Sequence, residues 1–144
     1  MLTNADLAVL KETYRSSKAV VTNINHVLSK VYDEDLALDL NRQLAEYQRM
    51  EEKAAGVLNR NGVRPEKDNA LEKARTWSSV QASTLLNTST GHIADMMIQE
   101  NAQGMTNMMK VLKHNGPVKG ECDSIANELM DLEELNIQKL KSYL

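Results

Sequence analysis

The sequence predicts an all-α protein built as a bundle of long helices. The chain has 144 residues and contains no Phe, one Trp, six Gly and two Pro, whereas sheet proteins need aromatic strands and frequent turn residues. Apolar residues recur at alternating steps of three and four, which is the period of a helix with one buried face. A chain of this length can bury a sizeable core, and we expect residues 1–144 to form a single domain.

The first two helices are predicted to form an antiparallel hairpin. Helix 1 is expected over about 3–31, because its apolar seam continues without a slip through Leu7, Leu10, Tyr14, Ser17, Val21, Ile24, Leu28 and Val31. Helix 2 is expected over 34–60, between the acidic cap at Asp33 and the stop at Asn61-Gly62. Its seam reads Ala37, Leu40, Leu44, Tyr47, Glu51, Ala54 and Leu58. The connection between these helices is very short, so they must run in opposite directions.

The second half of the chain predicts a crossover helix and a second hairpin. An unbroken helix over 68–114 would extend roughly 70 Å at 1.5 Å per residue, so a break is expected at Asn87–Gly91, where Ser, Thr and Gly favour a helix end. We therefore predict a crossover helix over 68–88, helix 3 over about 90–114 and helix 4 over about 120–143. The seams of helices 3 and 4 are Ala94, Ile98, Asn101, Met105, Met108 and Leu112, and Cys122, Ile125, Leu129, Leu132, Asn136 and Tyr143.

Four polar residues interrupt these seams, one in each main helix: Ser17, Glu51, Asn101 and Asn136. Counting outward from the two hairpin loops places all four at a similar height, so we predict a mid-bundle polar layer in which Glu51 is largely buried. Glu51 has two interpretations. It could bind a ligand or transfer a proton, or it could join Asn101, Asn136 and a Tyr in a core network that fixes the helix register.

The two hairpins and the long crossover resemble the ferritin-like superfamily. The segments Leu2-Thr3-Asn4-Ala5-Asp6-Leu7-Ala8 and Arg42-Gln43-Leu44-Ala45-Glu46-Tyr47 also resemble coat-F-type spore coat proteins of bacteria. The resemblance implies a ferritin-like antiparallel four-helix bundle with an additional crossover helix between helices 2 and 3.

The resemblance also implies where metal ligands would stand. In metal-binding members, two helices each supply one Glu, and the other two each supply a Glu-x-x-His pair. Here Ser17 and Asn101 stand at the positions of the single Glu residues, while Gln48-x-x-Glu51 and Glu133-x-x-Asn136 stand at the paired positions. Both histidines and most of the carboxylates are replaced, so no metal or other cofactor is expected.

Composition excludes several classes of partner. The net charge is −3 and no cluster of Lys and Arg occurs, so neither nucleic acid nor an anionic membrane surface is expected to bind. No stretch approaches the roughly 20 apolar residues of a membrane span. The single Cys122 suits a reducing compartment, and the N-terminus lacks the pattern of an export signal. A cytoplasmic location is therefore expected.

These features predict a structural or interaction protein without enzymatic activity. It would form a homodimer or join a larger protein assembly, as a spore-coat-like protein would. An apolar stripe on the predicted crossover is the expected contact surface, since large exposed apolar patches usually mark interfaces; it comprises Leu71, Ala74, Trp77, Val80 and Leu85. The alternative is a residual metal-binding or small-molecule-binding protein that uses the polar layer around Glu51.

Overall fold

The computed structural model describes residues 1–65 and 86–144, which form four long helices. They are α1 (Asn4–Val27), α2 (Glu34–Arg60), α3 (Thr90–Asn115) and α4 (Glu121–Leu140). Short 3-10 turns, Leu28–Lys30 and Lys141–Tyr143, extend α1 and α4. These two stretches of chain contain no strand, so the all-α prediction is confirmed for them. The predicted crossover helix lies outside the described residues up to 85, and residues 86–89 are not helical.

Local signals in the sequence set the helix ends. Thr3 caps α1 in a capping box, in which the Asp6 amide donates to the Thr3 hydroxyl at 3.0 Å and the Thr3 amide donates to Asp6 at 2.9 Å. Asp33 accepts from the Leu36 amide at 2.8 Å and caps α2. Ser89 caps α3 at the predicted break. Polar side chains at these positions satisfy backbone N–H groups that the first turn leaves unpaired.

The four helices run up, down, down and up. The end of α2 meets the start of α4, since Arg60 pairs with Glu121 at 2.9 Å. The start of α3 meets the end of the chain, since a Cβ at Gly91 would lie 3.6 Å from the Leu144 backbone. Helix α1 therefore packs antiparallel to both α2 and α3, and α4 packs antiparallel to the same two helices. Helices α2 and α3 run in the same direction on one diagonal.

The face of α2 that is buried differs from the predicted face by a small rotation about the helix axis. Leu40, Tyr47, Ala54 and Leu58 are buried as predicted, but the flank that points inward carries Leu36, Gln43, Met50 and Val57, and not Ala37, Leu44 and Glu51. The same shift occurs in α1, where Val9, Thr13, Ser16, Val20, Asn23 and Val27 are buried. A row of apolar residues at alternating steps of three and four has further apolar residues on either side of it. Which of the two sides is buried depends on where the neighbouring helices lie.

None of the helices in residues 1–65 and 86–144 combines the length and the apolar character that crossing a membrane requires.

Candidate functional site: the buried polar centre of the bundle

A chain of hydrogen bonds crosses the middle of the bundle. Arg42 donates to the Asn136 side-chain oxygen at 3.1 Å, and the Asn136 amide donates to the Tyr47 hydroxyl at 3.4 Å. The Tyr47 hydroxyl in turn donates to Asn101 Oδ1, and the Asn101 amide donates to the Met97 backbone oxygen at 2.8 Å. Tyr47, Asn101 and Asn136 are fully buried. This network ties α2, α3 and α4 together through neutral groups at its centre.

The four residues of the predicted polar layer do not all meet. Asn101 and Asn136 lie in the network, joined through Tyr47. Ser17 is also fully buried, but its hydroxyl has no hydrogen-bond partner among the described residues. Glu51 lies outside the layer, since its side chain is 22% exposed and its carboxylate stands 4.0 Å from the Lys18 ammonium. Glu51 is therefore less buried than predicted, because Met50 occupies the inward side of that turn.

The fully buried carboxyl of the described core is that of Glu133, on α4. Neither of its oxygens has a hydrogen-bond partner within residues 1–65 and 86–144. Space for the group comes from Gly104 on α3, because a Cβ at that position would lie 1.8 Å from Glu133 Oε2 and 2.9 Å from Ser16 Oγ. Glu133 therefore lies beside α1 and α3, about one helical turn from the Tyr47 network.

The surroundings of Glu133 favour its protonated form. Burial and, to a smaller extent, the nearby Glu12 carboxylate raise the pKa of its carboxyl to about 9, although the Ser16 hydroxyl and the Arg15 guanidinium favour the ionised form. Glu12 itself is held by Arg15, whose Nε and Nη2 both donate to it. At neutral pH the buried polar centre thus contains a protonated carboxyl, amides and hydroxyls.

The sequence contained a signal for Glu133 that the predicted seam of helix 4 missed. Cys122, Ala126, Leu129, Glu133, Asn136 and Leu140 form a regular seam of alternating four- and three-residue steps, and all are buried. The predicted seam instead passes through Ile125 and Leu132, and both of these residues are also buried. Helix α4 therefore buries both rows of residues. Glu133 lies inside the bundle because it belongs to one of them. Gln43 on α2 is also fully buried. The predicted seam of helix 2 does not include it, because that seam follows the other side of the helix.

Comparison with known proteins identifies no relative: no protein-family model, no curated protein and no solved structure matches the chain. Within the part of the chain that the structure describes, no three His, Cys, Asp or Glu side chains lie close enough together to hold a metal ion.

Proposed function

We propose that this protein is a structural or interaction bundle with a degenerate ferritin-like core, no functional di-metal site and no enzymatic activity. One observation carries the proposal, namely the hydrogen-bond chain from Arg42 through Asn136 and Tyr47 to Asn101. In ferritin-like metal proteins, inward side chains at mid-bundle bind the metals. In this chain two of the corresponding side chains, Asn101 and Asn136, instead form hydrogen bonds with Tyr47 and join three helices.

The up-down-down-up order of the helices supports the ferritin-like part of the proposal. Helices α2 and α3 are parallel, so Arg60 and Gly91 stand at opposite ends of the bundle. A long connection between two hairpins is the arrangement that ferritin-like folds use. We propose that the connection contains the predicted crossover helix, which ends before the non-helical residues 86–89, and that the protein is cytoplasmic.

Metal loading tests the absence of a di-metal site. Purified protein, incubated without oxygen with Fe(II), Mn(II) or Zn(II) and then desalted, should retain well under one metal ion per chain by elemental analysis. Glu133 is the buried carboxyl that a metal would use, so Glu133→Gln should leave the result unchanged, as should the exposed control Glu134→Gln. Retention of one or two ions per chain that is lost in Glu133→Gln, but kept in Glu134→Gln, would refute the proposal.

The interaction part of the proposal is that the chain forms a homodimer, either alone or as the unit of a larger spore-coat-like assembly. It rests on the apolar stripe of the sequence that includes Trp77. Light scattering should give the mass of a dimer for the wild type and for Trp77→Phe, which keeps an aromatic ring. Trp77→Lys should lower the mass toward that of a monomer, because a charge in an apolar contact is costly. A wild-type monomer at every concentration would contradict this expectation.

A further inference from the structure

The outer side of α3 carries a row of apolar residues in addition to the row that faces the core. Its members follow one another at alternating steps of four and three: Ile98, Ala102, Met105, Met109 and Leu112. We call these five residues the outer row. Ala102 is exposed and Met109 is 51% exposed, while the other three are half-buried. An apolar row at this spacing is the pattern through which one helix packs along another.

The outer row lies away from α1. A cavity of about 230 Å³ lies between α1 and α3, and the α3 residues that line it include Met96, Glu100 and Gln103. With about 3.6 residues per turn, these positions lie on the opposite side of α3 from Ile98 and Met105. The described chain also leaves α2 on the side of α1, since Pro65 lines a second cavity together with Ala8. In the part of the chain that the structure describes, the outer row therefore faces solvent along much of its length.

Charges of opposite sign mark the two ends of the outer row. Asp95 precedes the row and Lys113 follows it, and both side chains are exposed. They are eighteen residues apart, which is about five helical turns, so both lie on the same side of α3. Gln99 donates to Asp95 at 3.1 Å, but neither Asp95 nor Lys113 forms an ion pair with another described residue. Both charges are therefore available to a partner.

The position of these charges favours a second copy of the same helix. Asp95 and Lys113 each lie nine residues from Gly104. A twofold axis at the level of Gly104 would make two α3 helices antiparallel and would bring each Asp95 beside the Lys113 of the other copy. A parallel pair would instead bring like charges together, which is unfavourable. The charge pattern of the outer row is therefore complementary to itself in the antiparallel orientation.

The side chains of the outer row also suit a contact with a second α3. Ala102 is small and leaves a hollow near the middle of the row, and the flexible side chains of Met105 and Met109 can fill irregular gaps. The adjoining surface of α4 suits such a contact less well, because it carries the exposed polar residues Asn127 and Glu134. The apolar row of α3 is therefore best covered by the same row of another copy.

We propose that the outer row of α3 packs against the outer row of a second copy, with the two helices antiparallel and Asp95 paired with Lys113 at both ends. The inference rests on the proposed role as an assembling bundle, and it names the surface through which dimers join into a larger assembly. A contact about 27 Å long buries less area than a standard interface, so we expect a weak contact with a Kd on the order of 100 μM.

The concentration dependence of the mass tests this contact. Light scattering of the wild type from about 10 μM to about 1 mM should show a mass that at least doubles from its low-concentration value. The same rise should occur in Trp77→Lys, because Trp77 lies outside α3. The low-concentration mass reports the crossover contact and the rise reports the α3 contact, so a failure of either one can be told apart from a failure of the other.

An exchange of charges tests the antiparallel orientation. Lys113→Glu should weaken the association by about tenfold, because it brings two carboxylates together at each end of the contact. Adding Asp95→Lys to Lys113→Glu restores opposite charges in exchanged positions and should recover the association. The matched control adds Glu52→Lys instead, at an exposed carboxyl on α2. This control has the same net charge as the exchanged variant and should remain weak.

Substitution of Met109 tests the apolar part of the contact. Met109→Lys should weaken the association by about tenfold or more, because burying a charge in an apolar contact is costly. Met109→Leu keeps an apolar side chain of similar size and should associate as the wild type does. Met109 is half exposed, so both variants should fold, and circular dichroism checks that they do.

Three results would overturn the proposal. The first is a wild-type mass that does not rise with concentration. The second is a rise that Lys113→Glu or Met109→Lys leaves unchanged, which would assign the contact to another surface. The third is equal recovery with Asp95→Lys and with Glu52→Lys, which would show that net charge alone controls the association.

Discussion

Glu133→Gln should stabilise the protein at pH 8 and leave it almost unchanged at pH 5. Burial raises the pKa of Glu133 from 4.5 to about 9. As the pH rises above 4.5, the unfolded chain releases this proton while the folded chain keeps it, so the protonated carboxyl costs an increasing amount of folding free energy up to pH 9. The slope is about 1.4 kcal/mol per pH unit. Gln has no proton to release, so the variant should gain about 2–5 kcal/mol at pH 8.

Urea unfolding of both proteins at the two pH values measures this difference. Glu134→Gln is the matched control, because the neighbouring carboxyl is exposed and should contribute little at either pH. A loss of stability in Glu133→Gln at pH 8 would show that the ionised carboxylate is needed in the folded state. Removing one partner of a buried charged pair destabilises a protein. A loss of stability in Glu133→Gln would therefore contradict the protonated form inferred for Glu133.

Gly104→Ala should destabilise the bundle although Ala is the better helix residue. The new Cβ would lie 1.8 Å from Glu133 Oε2 and 2.9 Å from Ser16 Oγ, so the buried carboxyl would have to move. Overpacking of a close-packed core costs about 1–3 kcal/mol or more, and helix propensity returns about 1 kcal/mol. We expect a net loss of about 1–2 kcal/mol in the free energy of unfolding.

A double-mutant cycle shows whether the carboxyl causes this loss. In the background of Glu133→Ala, the same change at Gly104 should be neutral or stabilising, because the clashing oxygen is absent. Gly56→Ala on α2 is the control for propensity alone, since a Cβ at Gly56 meets no atom within 4 Å, and it should stabilise by about 1 kcal/mol. An equal loss from Gly104→Ala in both backgrounds would assign the cost to other contacts of α3.

The α1–α3 cavity and Glu133 meet at the same residue, Gly104. One face of this position lines the cavity, and the space of the missing side chain holds the Glu133 carboxyl.

The helix ends could be read from the sequence because their causes are local. Asp33 caps α2, and Asn61-Gly62 ends it within the predicted 34–60, with Gly62 at a φ of +73°. At this φ only Gly avoids a steric cost. Ser89 likewise begins α3 at the predicted break. Each of these signals acts through hydrogen bonds or dihedral angles within four residues, so no partner helix is needed to interpret it.

The mid-bundle layer could be predicted only in part. Asn101 and Asn136 are buried because both stand on otherwise apolar seams, which the sequence shows directly, whereas their connection is made by Tyr47. The sequence predicts that Glu51 faces the core, because apolar residues lie on both sides of the α2 seam and the pattern alone does not show which side is buried. Met50 rather than Glu51 is covered, and this depends on the rotation of α2 against its neighbours.

The sequence by itself determined the helical class, most of the helix ends and the polar interruption of the apolar faces, since propensity, capping and periodicity are properties of short segments; α1 ends at Val27, before the predicted 31. The tertiary structure decided which side of each helix is covered. It placed the Glu133 carboxyl in the space left by Gly104, some thirty residues away in the chain, and it opened the cavity beside Asn23 and Glu100. These pairings follow from helix rotation and packing, which depend on contacts between segments that are distant in sequence.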